Sequence, residues 1–291
     1  MTTLVAWAGT TAALAALDWA ITREYLLDRH VVLCHVTAPS DTRPIPHSAL
    51  DDLAAALQRD RTGIRFTAEL LRGDPVEQLE RRCQDGTLLV VGTDTRNEHP
   101  RRFERSLGMV LTRRGAIAVV IVPIDASHGA PGIVIGYNGS AAAVAALAFA
   151  ADEADRRSEP LVIVQSWRFR PIEEDGADCP ATRIDQKIDS LRLDIADVVA
   201  SVRTEHPALA VDLRFAHGET VQSLLAAAGG TSLLVLGTDD PSRTSTHEST
   251  DHAVVMRMHT ALAVIPPGFA ELIAHDDSSL EVARSWQAPL P

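Results

Sequence analysis

Aromatic residues, cysteines and positive charge are all scarce in this 291-residue sequence. Aromatic side chains make up 4% of it, so its hydrophobic cores have to be built from Ala, Val, Leu and Ile. The three cysteines, Cys34, Cys83 and Cys179, are too few and too scattered for a disulfide framework or a zinc site. Lys and Arg number 27 against 39 Asp and Glu, which gives a formal net charge of −12. This balance excludes a general affinity for nucleic acid or for anionic membranes, because both require clustered positive charge.

Long hydrophobic runs are also missing. No stretch approaches the roughly 18 consecutive apolar residues that a membrane-spanning helix needs. The N-terminal segment MTTLVAWAGTTAALAALDWA has no basic residue before its apolar part and contains Asp18, so we interpret it as a strand followed by a helix and not as a signal peptide. We therefore expect a cytoplasmic protein.

Motifs of known catalytic chemistry are absent as well. We find no nucleophile elbow, no Walker-type phosphate loop and no paired-carboxylate motif, so we predict no catalytic residues. His247, His252 and His259 lack the tight spacing of metal ligands, and we predict no metal site.

The sequence contains an internal repeat, so that its two halves carry the same motifs in the same order. LLVVGTD at Leu88–Asp94 returns as LLVLGTD at Leu233–Asp239, and at the same spacing Gly73 of LRGDPVEQLE matches Gly218 of AHGETVQSLL. VAWAGTTAALAALDWA near the start corresponds to VIGYNGSAAAVAALAFA, and each half closes with an apolar strand that proline stops, AIAVVIVP and ALAVIPP. A repeat this long indicates duplicated domains and not a solenoid.

Strand and helix patterns alternate within each half, which predicts an α/β fold with a parallel sheet and helices on both faces. In the first half we predict strands at Leu4–Trp7, 30–36, 63–70, Leu88–Gly92 and Ala116–Val122, and helices that begin after Thr10, around Leu50–Leu57, at Asp74–Arg82 and at Pro100–Arg114. We place a first domain at residues 1–123, a linker at 124–131, a second domain at 132–267 and a tail at 268–291. Ligands of such sheets bind at the carboxyl ends of the strands, where the winding reverses.

The order of these motifs resembles that of universal stress protein domains. The first half carries it in Gly9-Thr10, His35-Val36, Gly73-Asp74-Pro75, Gly92 and Val119–Pro123, and the second half in Gly139-Ser140, Gly218 and Gly237. The resemblance implies two flavodoxin-like (adenine nucleotide alpha hydrolase-like) domains, each a doubly wound five-stranded parallel sheet. It also implies dimerisation through the last strand and, in many members, an ATP site.

That ATP site uses an Asp at the end of the first strand and a loop with Gly, two residues, Gly, nine residues, Gly, then Ser or Thr. Glycines let backbone amides approach phosphate, and the helix N-terminus adds partial positive charge. Counted from Gly92, the next two glycine positions are Thr95 and Arg105, although Ser106 is retained. The Asp position holds Ala8 in the first half and Asn138 in the second.

The second loop departs further from the pattern. Counted from Gly237, its glycine positions are Asp240 and Thr250, and Asp251 follows. A carboxylate about 4 Å from a phosphate oxygen costs roughly 4 kcal/mol at an effective dielectric constant near 20. We therefore expect the second half to be closed to triphosphates.

The first loop leaves two interpretations open. Arg101, Arg102 and Arg105 either replace backbone amides as phosphate ligands or form a solvated helix face paired with nearby acids. His35, at the end of an apolar strand, either lines a pocket or is satisfied internally.

We predict a tandem universal stress protein that acts as a stress-related binding or regulatory protein, with ATP binding lost or weak in both halves and no cofactor. Two alternatives stay open: an ATP-binding switch or weak ATPase that uses the three arginines, and a ligand-free dimerisation scaffold. The vestigial nucleotide-binding residues are Ala8, Gly9, Val36, Gly73, Gly92, Arg101, Arg105, Ser106, Asn138, Gly218 and Gly237. Because apolar sheet edges invite pairing, we expect the last strands of the two halves to form an internal pseudo-dimer. We also consider a homodimer or a regulatory protein partner.

Overall fold

The computed structural model describes residues 2–25, 30–41, 45–61, 63–83, 86–94, 106–126, 130–167, 180–238, 254 and 257–269. The strands in these ranges are β1 Thr3–Ala6, β2 His30–Thr37, β3 Arg65–Arg72, β4 Leu88–Thr93, β5 Val119–Pro123, β6 Ala130–Gly136, β7 Leu161–Trp167, β8 Val211–His217, β9 Thr231–Gly237 and β10 Leu262–Ile265. The helices are α1 Thr11–Tyr25, α2 His47–Asp60, α3 Pro75–Arg82, α4 Leu107–Arg114, α5 Ala141–Arg157, α6 Pro180–Glu205 and α7 Thr220–Ala228.

All ten strands join one sheet in the order β3-β2-β1-β4-β5-β10-β9-β6-β7-β8. We call residues 2–126 the first half and residues 130–269 the second half. Within each half every strand pair is parallel, and both halves have the same order of strands, third-second-first-fourth-fifth. The winding therefore reverses between β1 and β4 and again between β6 and β9. The predicted fold class, doubly wound α/β domains with parallel five-stranded sheets, is confirmed.

The halves meet where β5 and β10 pair in antiparallel orientation. Val119 lies opposite Val264, Val120 opposite Ala263, and Ile121 opposite Leu262. The pairing covers the apolar edges that the last strands would otherwise expose. Each of these six residues has at most 1% of its surface exposed.

The core consists of two layers, one on each face of the sheet. Consecutive residues of a strand point to opposite faces, so Val5 packs with α1 and α2 while Leu4 packs with α3 and α4. The first layer runs through both halves and includes buried alanines of α1 and α5, such as Ala16 and Ala146. These small side chains let both helices lie close to the sheet, which suits a sequence with few aromatic residues.

Helix ends follow the capping residues of the sequence. Thr10, Asp74 and Ser140 each accept a hydrogen bond from a backbone N–H three residues further on, at 3.1–3.2 Å. The prediction that Thr10 caps the first helix is confirmed.

Several predicted boundaries differ from the structure, most of them by one or two residues, and three of the differences have a clear physical reason. The helix predicted from Pro100 begins at Leu107, because Ser106 has extended backbone and caps it; residues 95–105 lie outside the described ranges. The last strand of the first half begins at Val119 and not at Ala116, since Gly115, at φ 61°, ends α4 just before it. Strand β6 begins at Ala130, inside the predicted linker 124–131, because Ala130 already pairs with β9.

Candidate functional site

The candidate sites are the loops at the carboxyl ends of the strands where the winding of each half reverses. In the first half, the chain runs from β1 through Trp7–Thr10 into α1, and in the second from β6 through Tyr137–Ser140 into α5. Gly9 and Gly139 have φ of 67° and 79°, a left-handed conformation that favours glycine. The two loops thus share one backbone shape.

At the position of the family's ATP-binding aspartate, the two loops carry different residues. Ala8 is exposed and offers only a methyl group. Asn138 is exposed as well, but its Oδ1 accepts a hydrogen bond from the backbone N–H of Ser140 at 3.0 Å. The asparagine oxygen is therefore engaged in holding the turn that leads into α5.

Gly92, the residue before the last of β4, and Gly237, the last residue of β9, lie directly beneath the first turn of a helix. A Cβ added to Gly92 would lie 1.8 Å from the carbonyl oxygen of Ala12 in α1. A Cβ added to Gly237 would lie 2.4 Å from the carbonyl carbon and oxygen of Ala142 in α5. Both glycines, which the sequence analysis placed in phosphate loops, are accounted for by the close approach of helix backbone to strand backbone.

Gly73 and Gly218 turn the chain out of the outermost strand of each half. Their φ values are 130° and 132°, and their N–H groups donate to the carbonyls of Thr37 and Trp167 at 3.1 and 3.0 Å. Val36 lies half-buried at the end of β2. The structure thus brings the predicted glycines and Val36 to the same edge of the sheet.

Ser106, the retained hydroxyl of the family's loop pattern, caps α4. Its Oγ accepts from the backbone N–H of Met109 at 3.4 Å. Arg101, Arg102 and Arg105 lie outside the described residues, as do the acidic residues of the second loop, which are Asp239, Asp240, Glu248 and Asp251. The electrostatic interpretation of both loops therefore stays a prediction.

A polar side chain that the sequence analysis missed occupies the same strand position as His35 in the other half. Thr3 pairs with Val31 and Ile133 with Leu161, so the registers make Gln165 of β7 the equivalent of His35 of β2. His35 Nδ1 lies 2.8 Å from the Trp7 carbonyl and so donates to it. His35 Nε2 and Gln165 Oε1 are buried, and the described part of the structure offers them no hydrogen-bond partner. Aligning the two halves by their strands would have found this pair.

The described residues form neither a metal-binding cluster nor a membrane-spanning helix. They contain no group of three His, Cys, Asp or Glu side chains that could hold a metal ion. His259 instead pairs with Asp125 at 3.0 Å on the surface, and His247 and His252 lie outside the described ranges. None of the described helices is both long enough and apolar enough to cross a bilayer.

Comparison with known proteins places the second half in a family. The family model described as "Universal stress protein family" matches residues 132–266, the segment that carries the loops of Tyr137–Ser140 and Gly237. Residues 132–266 belong to the universal stress protein family.

Universal stress proteins of mycobacteria are similar to a larger part of the chain. Universal stress protein Rv2623 of Mycobacterium tuberculosis (strain ATCC 25618 / H37Rv) is 26% identical over 251 residues, which cover 78% of this chain and 82% of that protein. Universal stress protein Mb2028c of Mycobacterium bovis is 24% identical over 201 residues, 67% of this chain and 66% of its own. An alignment of 251 residues is longer than the family match, so the likeness extends into the first half.

Solved structures share the fold over nearly the whole chain. A universal stress protein from Archaeoglobus fulgidus DSM 4304 superposes with a TM-score of 0.62 at 14% identity, over 92% of this chain and 98% of its own. Protein PA1789 from Pseudomonas aeruginosa PAO1 superposes with a TM-score of 0.59 at 16% identity, over 94% of each chain. At such low identity these likenesses establish the universal stress protein fold and nothing further.

Proposed function

We propose that the chain is a tandem universal stress protein that acts as a stress-related binding or regulatory protein, with ATP binding lost or weak in both halves. The stress-related role is suggested by the relatives' names. The tandem arrangement is supported by the equal strand orders of the halves and by their antiparallel junction.

The proposed loss of ATP binding rests on the residue that follows the first strand of each half, at the position of the family's ATP-binding aspartate. Ala8 has no side chain that can hydrogen-bond, and the Oδ1 of Asn138 is engaged by the N–H of Ser140. Neither half therefore presents the free carboxylate that the family's ATP site uses. The packing of Gly92 and Gly237 against helix backbone explains why these residues are glycines without a bound phosphate.

The experiment is a calorimetric titration of the full chain with ATP and with AMP, together with mass spectrometry of nucleotide released from the purified protein by mild denaturation. We expect no nucleotide to be released and no saturable heat of binding at micromolar concentration. Tight ATP binding that Arg101→Ala and Arg105→Ala abolish would overturn the proposal in favour of an ATP-binding switch. Arg113→Ala is the matched control, because Arg113 is an exposed arginine at the far end of α4.

A further inference from the structure

A buried ion pair connects the two halves away from the loops of the candidate site. Arg23 of α1 and Glu153 of α5 have no more than 1% of their surface exposed. Arg23 Nε donates to Glu153 Oε2 at 3.0 Å and Arg23 Nη2 donates to Oε1, which makes the contact bidentate. Arg157 Nη2 adds a second donor to Glu153 Oε2 at 3.1 Å.

The far side of the Arg23 guanidinium faces its own half. Its Nη1 donates to Thr3 Oγ1 at 3.0 Å and to Glu24, and Glu24 accepts from Thr3 at 2.5 Å. Burial alone would lower the pKa of Arg23, but Glu153 and Glu24 outweigh it and raise that pKa. Burial alone would raise the pKa of Glu153, but Arg23 and Arg157 outweigh it and lower that pKa to about 2. Both groups are thus charged at neutral pH.

Arg23 and Glu153 occupy the same position of the repeated unit. Each follows the glycine of its first loop, Gly9 or Gly139, by the same number of residues along an alanine-rich helix. The junction of the sheet has matching symmetry, because the β5–β10 pairs repeat on either side of the Val120–Ala263 pair. Equivalent positions of two halves related in this way meet where they lie next to the axis, and the contact between Arg23 and Glu153 places this position of the repeat there.

A junction between two identical halves would place the same residue on both sides of this axis. Here the duplicated positions carry opposite charges and no solvent reaches them. We propose that the Arg23–Glu153 pair selects the partner of each half: the α1–β5 surface of the first half accepts a universal stress protein half with an acid at this position, and rejects a second copy of itself.

The rejection follows from the cost of burying like charges. Two first halves would bring Arg23 against Arg23, and arginine cannot shed its proton in a protein; each would keep Glu24 of its own half but lose the bidentate contact with Glu153. Two second halves would bring Glu153 against Glu153, each keeping Arg157 of its own half but losing the two donors of Arg23. A buried charge left without its partner is strongly destabilising, whereas a hydrophobic pair in its place is often neutral or stabilising. The pair therefore contributes selectivity that an apolar contact would not supply.

The test uses the full chain with a protease site inserted between residues 124 and 129, cleaved after folding. Isotope-labelled and unlabelled nicked proteins are mixed within the unfolding transition, diluted to native conditions and analysed by native mass spectrometry. We expect unlike halves to re-pair and like-half pairs to be about a hundred-fold rarer than a random mixture would give. Like-half pairs near the random share, or unpaired halves only, would overturn the proposal.

A variant with an apolar contact separates selectivity from stability. Arg23→Met, Glu24→Gln and Glu153→Met together remove the three charges whose side chains are at most 1% exposed, and Gln keeps an acceptor for Thr3; Arg157, with 10% of its side chain exposed, remains. We expect the nicked triple variant to keep unlike pairs and to gain like-half pairs. If it still excluded like halves, another feature would be selecting the partner.

A charge reversal gives a second readout that does not depend on the triple variant. Nicked E24Q mixed with nicked R23E/E24Q should yield a new pair, the E24Q first half with the R23E/E24Q first half, because Arg23 of one then faces a glutamate of the other and Glu24 adds no further charge. The conservative variant R23K/E24Q should yield none. Absence of the new pair from the mixture with R23E/E24Q would contradict the proposal.

Discussion

At the scale of single residues, Gly92 and Gly237 show how a repeated motif can have a packing cause. Their missing side chains let the first turns of α1 and α5 rest on the strand ends, at distances where no Cβ fits. The same helix-on-strand contact in both halves accounts for the glycine of the repeated Gly-Thr-Asp without a ligand.

We therefore predict that Gly92→Ala lowers the free energy of unfolding by about 3 kcal/mol or more, since the neighbour is helix backbone that cannot rotate away. Urea unfolding followed by circular dichroism measures it. Gly229→Ala is the control, because its new Cβ would meet nothing closer than 3.4 Å and its φ of −59° suits alanine. Equal midpoints for Gly92→Ala and wild type would contradict the packing argument.

Cys34 offers a second prediction at this scale. Its side chain is 1% exposed, and burial, followed by the charge of Glu69, raises the pKa of its thiol to about 12. Cys83 is also buried. We expect a Cys179→Ala variant to react with a thiol reagent at pH 8 only after denaturation, because the thiolate is the nucleophile. Rapid modification of a thiol in the folded variant, read as absorbance of the released chromophore, would show that the buried layer opens.

Such residue-level causes could be predicted only in part from the sequence. The repeated motifs located both Gly92 and Gly9, but the contact between Gly92 and Ala12 depends on how closely α1 packs on the sheet. The sequence leaves the role of His35 open for the same reason, since its hydrogen bond to the Trp7 carbonyl joins β2 to the loop that follows β1.

At the scale of elements, local sequence decides where helices begin. Ser140 caps α5 with a hydrogen bond to Ala143 N of 3.1 Å, and the helix then presents its alanine face to both sheet and junction. Ser106 caps α4 in the same way, which explains why this helix begins at Leu107 although apolar and basic residues precede it.

We predict that Ser140→Ala lowers the free energy of unfolding by about 1 kcal/mol, the usual effect of losing an N-cap. The matched control is Ser48→Ala, because Ser48 is exposed within the first turn of α2 and alanine is the better helix former there. Chemical denaturation of both variants measures the difference. If Ser48→Ala lowered the free energy of unfolding as much as Ser140→Ala, the lost N-cap would not be the cause.

At the scale of the whole molecule, the repeat predicted two similar sheets, while the junction required the structure. Apolar last strands predict that edges will pair, but the symmetric β5–β10 register and the Arg23–Glu153 contact depend on how two complete halves fit together. Aligning the halves shows an arginine opposite a glutamate at one repeat position. Only the junction shows that these positions touch.

The buried pair makes the stability of the whole chain sensitive to acid. The pKa of Glu153 in the folded protein is about 2, below its ordinary value of 4.5, so the unfolded chain takes up the proton first as pH falls. The contribution of Glu153 is therefore complete above about pH 4.5 and is lost between there and about pH 2. The charged groups around it are Arg23 and Glu24 from α1 and Arg156 and Arg157 from α5.

We accordingly predict that Glu153→Gln is less stable than wild type at pH 7 and that this difference shrinks as pH falls from about 4.5 towards 2, because the amide mimics the protonated acid. Urea midpoints measured at a series of pH values give the difference directly. Asp212→Asn is the control, since Asp212 pairs with Arg214 on the surface, where an ion pair contributes little. If the difference in urea midpoint between Glu153→Gln and wild type stayed constant with pH, the carboxylate charge would not be what holds the two halves together.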